Sequence, residues 1–236
     1  MKSFKQNGLR KNRFPVVDNF IRLTPEIPYI LKGVLVTLKY AGLSMFFGLL
    51  WGCVLSIFKT SNNGFLCWMA RAYTAVFRGT PLIVQLALIY YATPQIFGYK
   101  ISAFEAGVLA FSLNSGAYVS EIIRGGIVSL DRGQFEASYA LGLSKTQMMK
   151  DVIFPQAIKN ILPALVNEMV DLVKESALVS VIAEEDLFRR ANLVGAKYFI
   201  YFETLMLVAV VYFCLVMVLS KLAHYLEIRM NRHVAH

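Results

Sequence analysis

The chain has 236 residues, of which 57% are apolar and 17% charged, whereas a soluble domain of this size carries about 25% charge. That composition fits lipid as the solvent, and the length allows five or six helical spans of ~20 residues with little left for a separate soluble domain. The net charge of +9 does not point to nucleic acid, because Lys and Arg fall at the ends of apolar runs, where they anchor spans.

Residues 1–29 form a basic segment with no apolar run long enough for a signal-peptide core, so the first membrane helix is expected to stay. Residues 30–228 read as a single transmembrane domain and 229–236 as a tail. The first span is expected from Leu31 to Phe58, with Ser44, Gly48, Gly52 and Ser56 recurring every four residues as a ridge that admits another helix closely. Phe65 to Phe77 is amphipathic. Arg78-Gly79-Thr80-Pro81 then precedes an apolar run to Tyr91, with Thr80 predicted to cap it and Pro81 to take the first helical position. Ser102 and Glu105 form a capping box before the third span, Ala106 to Ile123. The fourth, Ile158 to Ile182, carries Asn167, Glu168, Asp171, Lys174 and Glu175, and the fifth runs from Thr204 to Leu222. Cys53, Cys67 and Cys214 lack metal-ligand spacing and read as packing residues.

The polar segment between the third and fourth spans, about residues 129–156, is the most specific part of the chain. Asp131 with Gln134 three residues on can open a short helix through Glu136-Ala137-Ser138-Tyr139-Ala140-Leu141, and Gly142 supplies a left-handed stop. Ser144 and Gln147 make a second capping box, and Pro155 is expected to end or kink the helix before the fourth span. Two short capped helices joined at a glycine form a rigid knuckle suited to docking.

Glu136-Ala137-Ser138, Gly142 and Val152-Ile153-Phe154-Pro155 resemble the EAA loop of ABC importer permeases. The family pattern is Glu-Ala-Ala, three residues, Gly, nine residues, Ile, any residue, Leu-Pro; Ser138, Val152 and Phe154 depart from it while preserving size or apolarity. Arg78-Gly79-Thr80-Pro81-Leu82-Ile83-Val84-Gln85, Glu121-Ile122-Ile123-Arg124-Gly125-Gly126-Ile127 and Pro155-Gln156-Ala157 narrow the resemblance to permeases for polar amino acids. The resemblance implies an all-α integral membrane protein of the type I importer class, in the cytoplasmic (inner) membrane of a bacterium. It implies as partners an ATPase dimer that binds ATP and Mg, a second permease subunit and an extracytoplasmic solute-binding protein. Glu136, Ala137, Ser138, Gly142 and Pro155 are then assigned to ATPase coupling.

Polar side chains inside a membrane mark a pathway. Asn114, Tyr118 and Glu121 share one side of the third span, and Asn167, Glu168, Asp171 and Lys174 lie on the fourth. They are candidate solute contacts, with Glu168 the candidate for a solute's positive charge, and interhelical hydrogen bonding or pairing of Lys174 with Asp171 or Glu175 is the alternative. Arg78, Thr80, Pro81 and Gln85 are secondary candidates, helix initiation and anchoring being preferred for Arg78 and Pro81. Asn167-Glu168 and Lys174-Glu175-Ser176-Ala177-Leu178 resemble arginine-type more than glutamine-type permeases. An ion-coupled secondary carrier is the competing class; its inverted repeat is not evident. No nucleotide-cradling Gly-rich loop occurs, so ATP hydrolysis falls to another chain. Lys/Arg bias puts the C-terminus and the polar loop in the cytoplasm and the N-terminus outside, although the N-terminal segment is itself basic.

Overall fold

The computed structural model describes residues 15–232, and these are helices and connections with no strand. In chain order the helices are α1 (Pro15–Leu23), α2 (Ile27–Leu31), α3 (Gly33–Lys59), α4 (Gly64–Gly79), α5 (Leu82–Phe97), α6 (Ala103–Val128), α7 (Arg132–Ala140), α8 (Lys145–Gln147), α9 (Phe154–Glu175), α10 (Leu187–Tyr198) and α11 (Tyr201–Arg232). Among the described residues, Val17–Lys59, Ala103–Val128 and Tyr201–Tyr225 are long and apolar enough to cross a membrane, and α4 with α5, bent by 104° at their junction, meets the same measure as a pair. The expected fourth span lies on α9 and the 3-10 turn Ser176–Ile182 that follows it. Its charges keep it below the apolarity of the others, and neighbouring helices cover it on one side.

Between spans there is little hydrophobic gain to be had, since lipid tails are as apolar as leucine, so close van der Waals packing has to hold them together. The ridge on α3 does this. Ser44, Gly48 and Gly52 are buried; a methyl group added at Gly52 would lie 2.5 Å from Val119, and one at Gly48 would lie 2.9 Å from Ser115. Gly48 facing Ser115, Gly52 facing Val119 and Ser56 facing Ser120 show that α3 and α6 run parallel, with the bent α4–α5 pair as the return path. Helix α9 runs antiparallel to α6, with Ile161 against Gly126. Tyr40 is fully buried against Phe104 and Phe111, and its hydroxyl donates to the Ala103 carbonyl at 3.2 Å.

A second cluster joins Leu23 and Ile30 to Leu187, Ala191, Val194, Ile200 and Val208. It places α1, α2, α10 and the start of α11 at the end of the bundle opposite α7 and α8. The helical run from Val17 to Lys59 crosses the expected boundary at residue 30 without a large bend.

Three local expectations are corrected. Thr80 does not cap α5: its hydroxyl donates back to the Val76 carbonyl at 2.9 Å, ending α4, and Pro81 sits one residue outside the helix that starts at Leu82. Asp131 caps α7 by accepting from Gly133 N–H, but Gln134 does not close a box, because its side-chain oxygen accepts from Gln156 at 3.0 Å. Pro155 neither ends nor interrupts its helix. The chain winds as a π-helical turn over Met148–Ile153 and tightens to α at Phe154, leaving Pro155 in the first turn of α9, where a missing N–H does least harm.

Candidate functional site

The loop between α6 and α9 folds as its residues dictate. Asp131 opens α7, and Gly142 closes it at φ +75°. There the Leu143 N–H reaches the Ser138 carbonyl at 3.1 Å and the Gly142 N–H reaches the Tyr139 carbonyl at 3.0 Å, a paired closure that uses up the last carbonyls of the helix. The Ser144 hydroxyl accepts from Gln147 N–H while the Gln147 side chain accepts from Ser144 N–H at 3.0 Å, completing the second box. Ser138 is buried and donates to the Gln134 carbonyl at 2.7 Å. Glu136, Ala137, Tyr139 and Leu141 are exposed, Leu141 by 79%. A groove of about 500 Å³ beside them is lined by Lys145, Thr146, Met149, Lys150 and Phe154.

This loop is fastened to the spans rather than tethered loosely. Gln156 bonds Gln134, and the Asn160 amide donates to Ser129 Oγ at 3.0 Å. A force on α7 therefore reaches the base of α9 through side-chain contacts as well as through the backbone. A rigid contact with an apolar and charged exposed face, joined directly to a span, is what transmission of motion from a docked partner requires.

Inside the bundle the candidate solute residues separate into three groups. Asn114 is 6% exposed, and its amide donates to the Phe77 carbonyl and to Gln85 Oε1, both at 3.0 Å. Gln85 in turn donates towards Phe77 O, Thr80 O and Thr80 Oγ1 at 2.8–3.1 Å. Together they satisfy the backbone groups freed at the corner between α4 and α5, which lipid could not do. Pro81 stands at this corner, and the Arg78 guanidinium lies 5.1 Å over the ring of exposed Tyr118.

Glu121 bridges two cations: Lys59 Nζ donates to it at 2.7 Å and Arg124 Nε at 2.9 Å, and Lys59 also donates to Ser120 Oγ at 2.7 Å. On α9, Asp171 and Lys174 form an exposed ion pair at 2.6 Å. Asn167 is exposed beside them, and half-buried Glu168 approaches the Ser115 hydroxyl without closing a hydrogen bond. Their spacing puts Asn114, Tyr118 and Glu121 on one stripe of the helix. The structure brings Asn114 to Gln85, Tyr118 to Arg78 and Glu121 to Lys59, so three neighbours in sequence serve three different contacts. Lys59 and Gln156 carry no local signal in the sequence, because capping patterns act within a few residues and the partners of these two, Glu121 and Gln134, lie 62 and 22 residues away.

Residues 44–232 match the family model described as binding-protein-dependent transport system inner membrane component. The chain is 51% identical over 213 residues to a putative glutamine transport system permease protein of Rickettsia felis, covering 90% of this chain and 98% of that one. Over 209 residues it is 48% identical to the arginine transport system permease protein of Bacillus subtilis, covering 89% and 95%. The crystal structure of an amino acid ABC transporter with histidines matches with a TM-score of 0.86 at 44% identity, covering 89% of this chain and 98% of that chain.

Proposed function

The chain belongs to the family of binding-protein-dependent transport system inner membrane components, and from that membership we propose that it is the membrane-embedded permease subunit of an ATP-driven importer of a polar amino acid. The observation that carries the mechanism is the doubly capped loop from Asp131 to Ile153 with Glu136 and Ala137 on its outer face. A partner ATPase dimer docks there, with the loop on the cytoplasmic side, the C-terminus beside it and the N-terminus outside. Nucleotide and Mg chemistry belong to that partner. Closure of the ATPase pushes α7, the Gln134–Gln156 and Ser129–Asn160 contacts pass the displacement to α9, and the path opens towards a loaded solute-binding protein. A second permease subunit, identical or closely related, forms the other wall.

The path runs along Asn167, Glu168, Asp171 and Lys174 on α9, with Tyr118 opposite. Asp171 and Lys174 are an exchangeable pair: a solute carboxylate can replace Asp171 at the ammonium while the solute amine meets a carboxylate. Glu168 is the site for a cationic side chain. Asn114 and Glu121, occupied within the chain, fix the walls. The solute is a basic amino acid, on the strength of Asn167-Glu168 and Lys174-Glu175-Ser176-Ala177-Leu178; a glutamine-type solute is the second reading, favoured by the similarity to the Rickettsia felis permease.

The test is uptake of labelled arginine, histidine and glutamine into vesicles carrying this chain with its ATPase and binding protein. Arginine uptake should depend on ATP and disappear in Glu136→Ala while solute binding is retained. Glutamine uptake in place of arginine selects the second reading. Uptake without the ATPase refutes the importer and makes the chain a secondary carrier.

A further inference from the structure

Half-way through the bundle stands a cation without a counter-charge. The Phe77 carbonyl accepts from Asn114, near the middle of α6, so the next residue, Arg78, sits at the depth of the α4–α5 corner and away from either end of the span. Arg78 is exposed, its guanidinium lies 5.1 Å over the Tyr118 ring, and among the described residues it makes no ion pair, whereas Lys59, Lys174, Arg190 and Lys197 each have a carboxylate. A cation at such depth is costly unless it faces the bundle interior or water and meets an anion there.

The register of α6 fixes which cleft Arg78 faces. At about 100° per residue, Tyr118 lies between Asn114, which bonds the α4–α5 corner, and Ser115, which Glu168 of α9 approaches. The guanidinium over Tyr118 therefore borders the same cleft as Glu168, and Ser115 Oγ, fully buried beside Glu168, has no hydrogen-bond partner of its own. Along the axis, Tyr118 is three residues past Ser115, ~4.5 Å nearer the α7 loop, while Lys174 is six residues past Glu168 on the antiparallel helix, ~9 Å nearer the other end. The order down the cleft is Lys174 with Asp171, then Glu168, then Arg78. On the reading of this chain as an amino acid permease, we propose that Arg78 is a second station for the solute's carboxylate, below Lys174, with Tyr118 supporting the guanidinium and Glu168 taking the positive group. Lys174 has Asp171 at 2.6 Å and must release it to bind a solute. Arg78 has no such competitor, and its planar fork matches a carboxylate with two parallel hydrogen bonds. A solute moving inward exchanges a contested cation for an uncontested one.

The experiment measures binding of labelled arginine and of argininamide, whose carboxylate is replaced by a neutral amide, to the permease in complex with its ATPase and without the solute-binding protein; glutamine and glutaminamide form a second pair. Wild type should bind the acid more tightly than the amide by about tenfold or more. Arg78→Gln should lose about tenfold in affinity for the acid and leave the amide unchanged, and Arg78→Lys, which keeps the charge without the fork, should lie between. Equal loss of both ligands in Arg78→Gln makes the guanidinium a support of the wall or a contact with a second subunit and overturns the proposal, as does an acid preference that stays at the wild-type value. A preference lost in Lys174→Gln and kept in Arg78→Gln places the carboxylate at Lys174 alone and overturns it too. Where Arg78→Gln does not assemble, Arg78→Lys carries the test, and a wild-type ratio of acid to amide affinity refutes the assignment. Wild type that binds neither amino acid and shows no ATP-dependent uptake refutes the permease reading together with this one; ATP-dependent uptake with an unaltered acid preference in Arg78→Gln refutes this one only.

Discussion

Replacing Glu121 with Ala strands a cation. The Lys59 side chain is 5% exposed and its ammonium has the Glu121 carboxylate and the Ser120 hydroxyl as hydrogen-bond acceptors, each at 2.7 Å. Removing the carboxylate from such a pair costs about 3–5 kcal/mol, because the remaining charge stays buried without compensation. Arg124, with a side chain 55% exposed, turns to solvent and contributes less than about 1 kcal/mol to the loss. At about 2–4 °C per kcal/mol for a chain of this size, Glu121→Ala should lower the midpoint of thermal unfolding in detergent by about 6–20 °C, read by fluorescence-detected size exclusion. Adding Lys59→Met to Glu121→Ala removes the stranded charge and should recover more than half of the drop. If the double variant is no more stable than Glu121→Ala, or the single variant falls by less than about 2 °C, the pairing is not what holds the ends of α3 and α6 together.

Two further outcomes follow from local geometry. Gly142 stands at φ +75° with open space around the position of a Cβ, so Gly142→Ala should cost only the left-handed penalty, about 1–2 kcal/mol, and Gly142→Asn should recover part of it; equal unfolding midpoints for Ala and Gly would show that the stop is not under strain. Asp186, the buried cap of α10 at the end of the bundle opposite the loop, has its carboxyl pushed up to about 6 by burial, against the pull of the Arg189 and Phe188 N–H groups. The folded state then binds a proton that the unfolded chain, at an ordinary 3.8, does not hold over that interval. The stabilisation is full below about pH 4 and is lost as pH rises through 6. The wild type should therefore gain stability relative to Asp186→Asn on acidification from pH 7 to 5; parallel curves for the two would refute the assignment.

What could be read in the sequence were features whose physics is local. Ser102 with Glu105, Ser144 with Gln147 and the stop at Gly142 each satisfy backbone groups within a few residues, and the structure forms all three. The ridge of Ser44, Gly48 and Gly52 was readable because period four alone puts small residues on one side. Thr80 and Pro81 misled because the signature of a helix start is also that of a corner, and only Asn114 on another helix decides between them. Helix α10 was missed: Asp186 caps it and Leu187, Ala191 and Val194 give it a buried side, yet Arg189, Arg190 and Lys197 conceal that stripe in a segment that looks like a polar connection. Lys59 with Glu121 was out of reach, since 62 residues separate them.

The corner between α4 and α5 bears on how the protein is made. Each of the two helices has 16 residues, about 24 Å of rise against a hydrocarbon core of about 30 Å, so neither reaches across by itself as it leaves the ribosome. The amides that cover the bare backbone at Phe77 and Thr80 come from Gln85 and from Asn114, and Asn114 is synthesised only with the third span. The second crossing is therefore a debt carried forward during synthesis. Until α6 has been made, those backbone groups have only Gln85 to cover them.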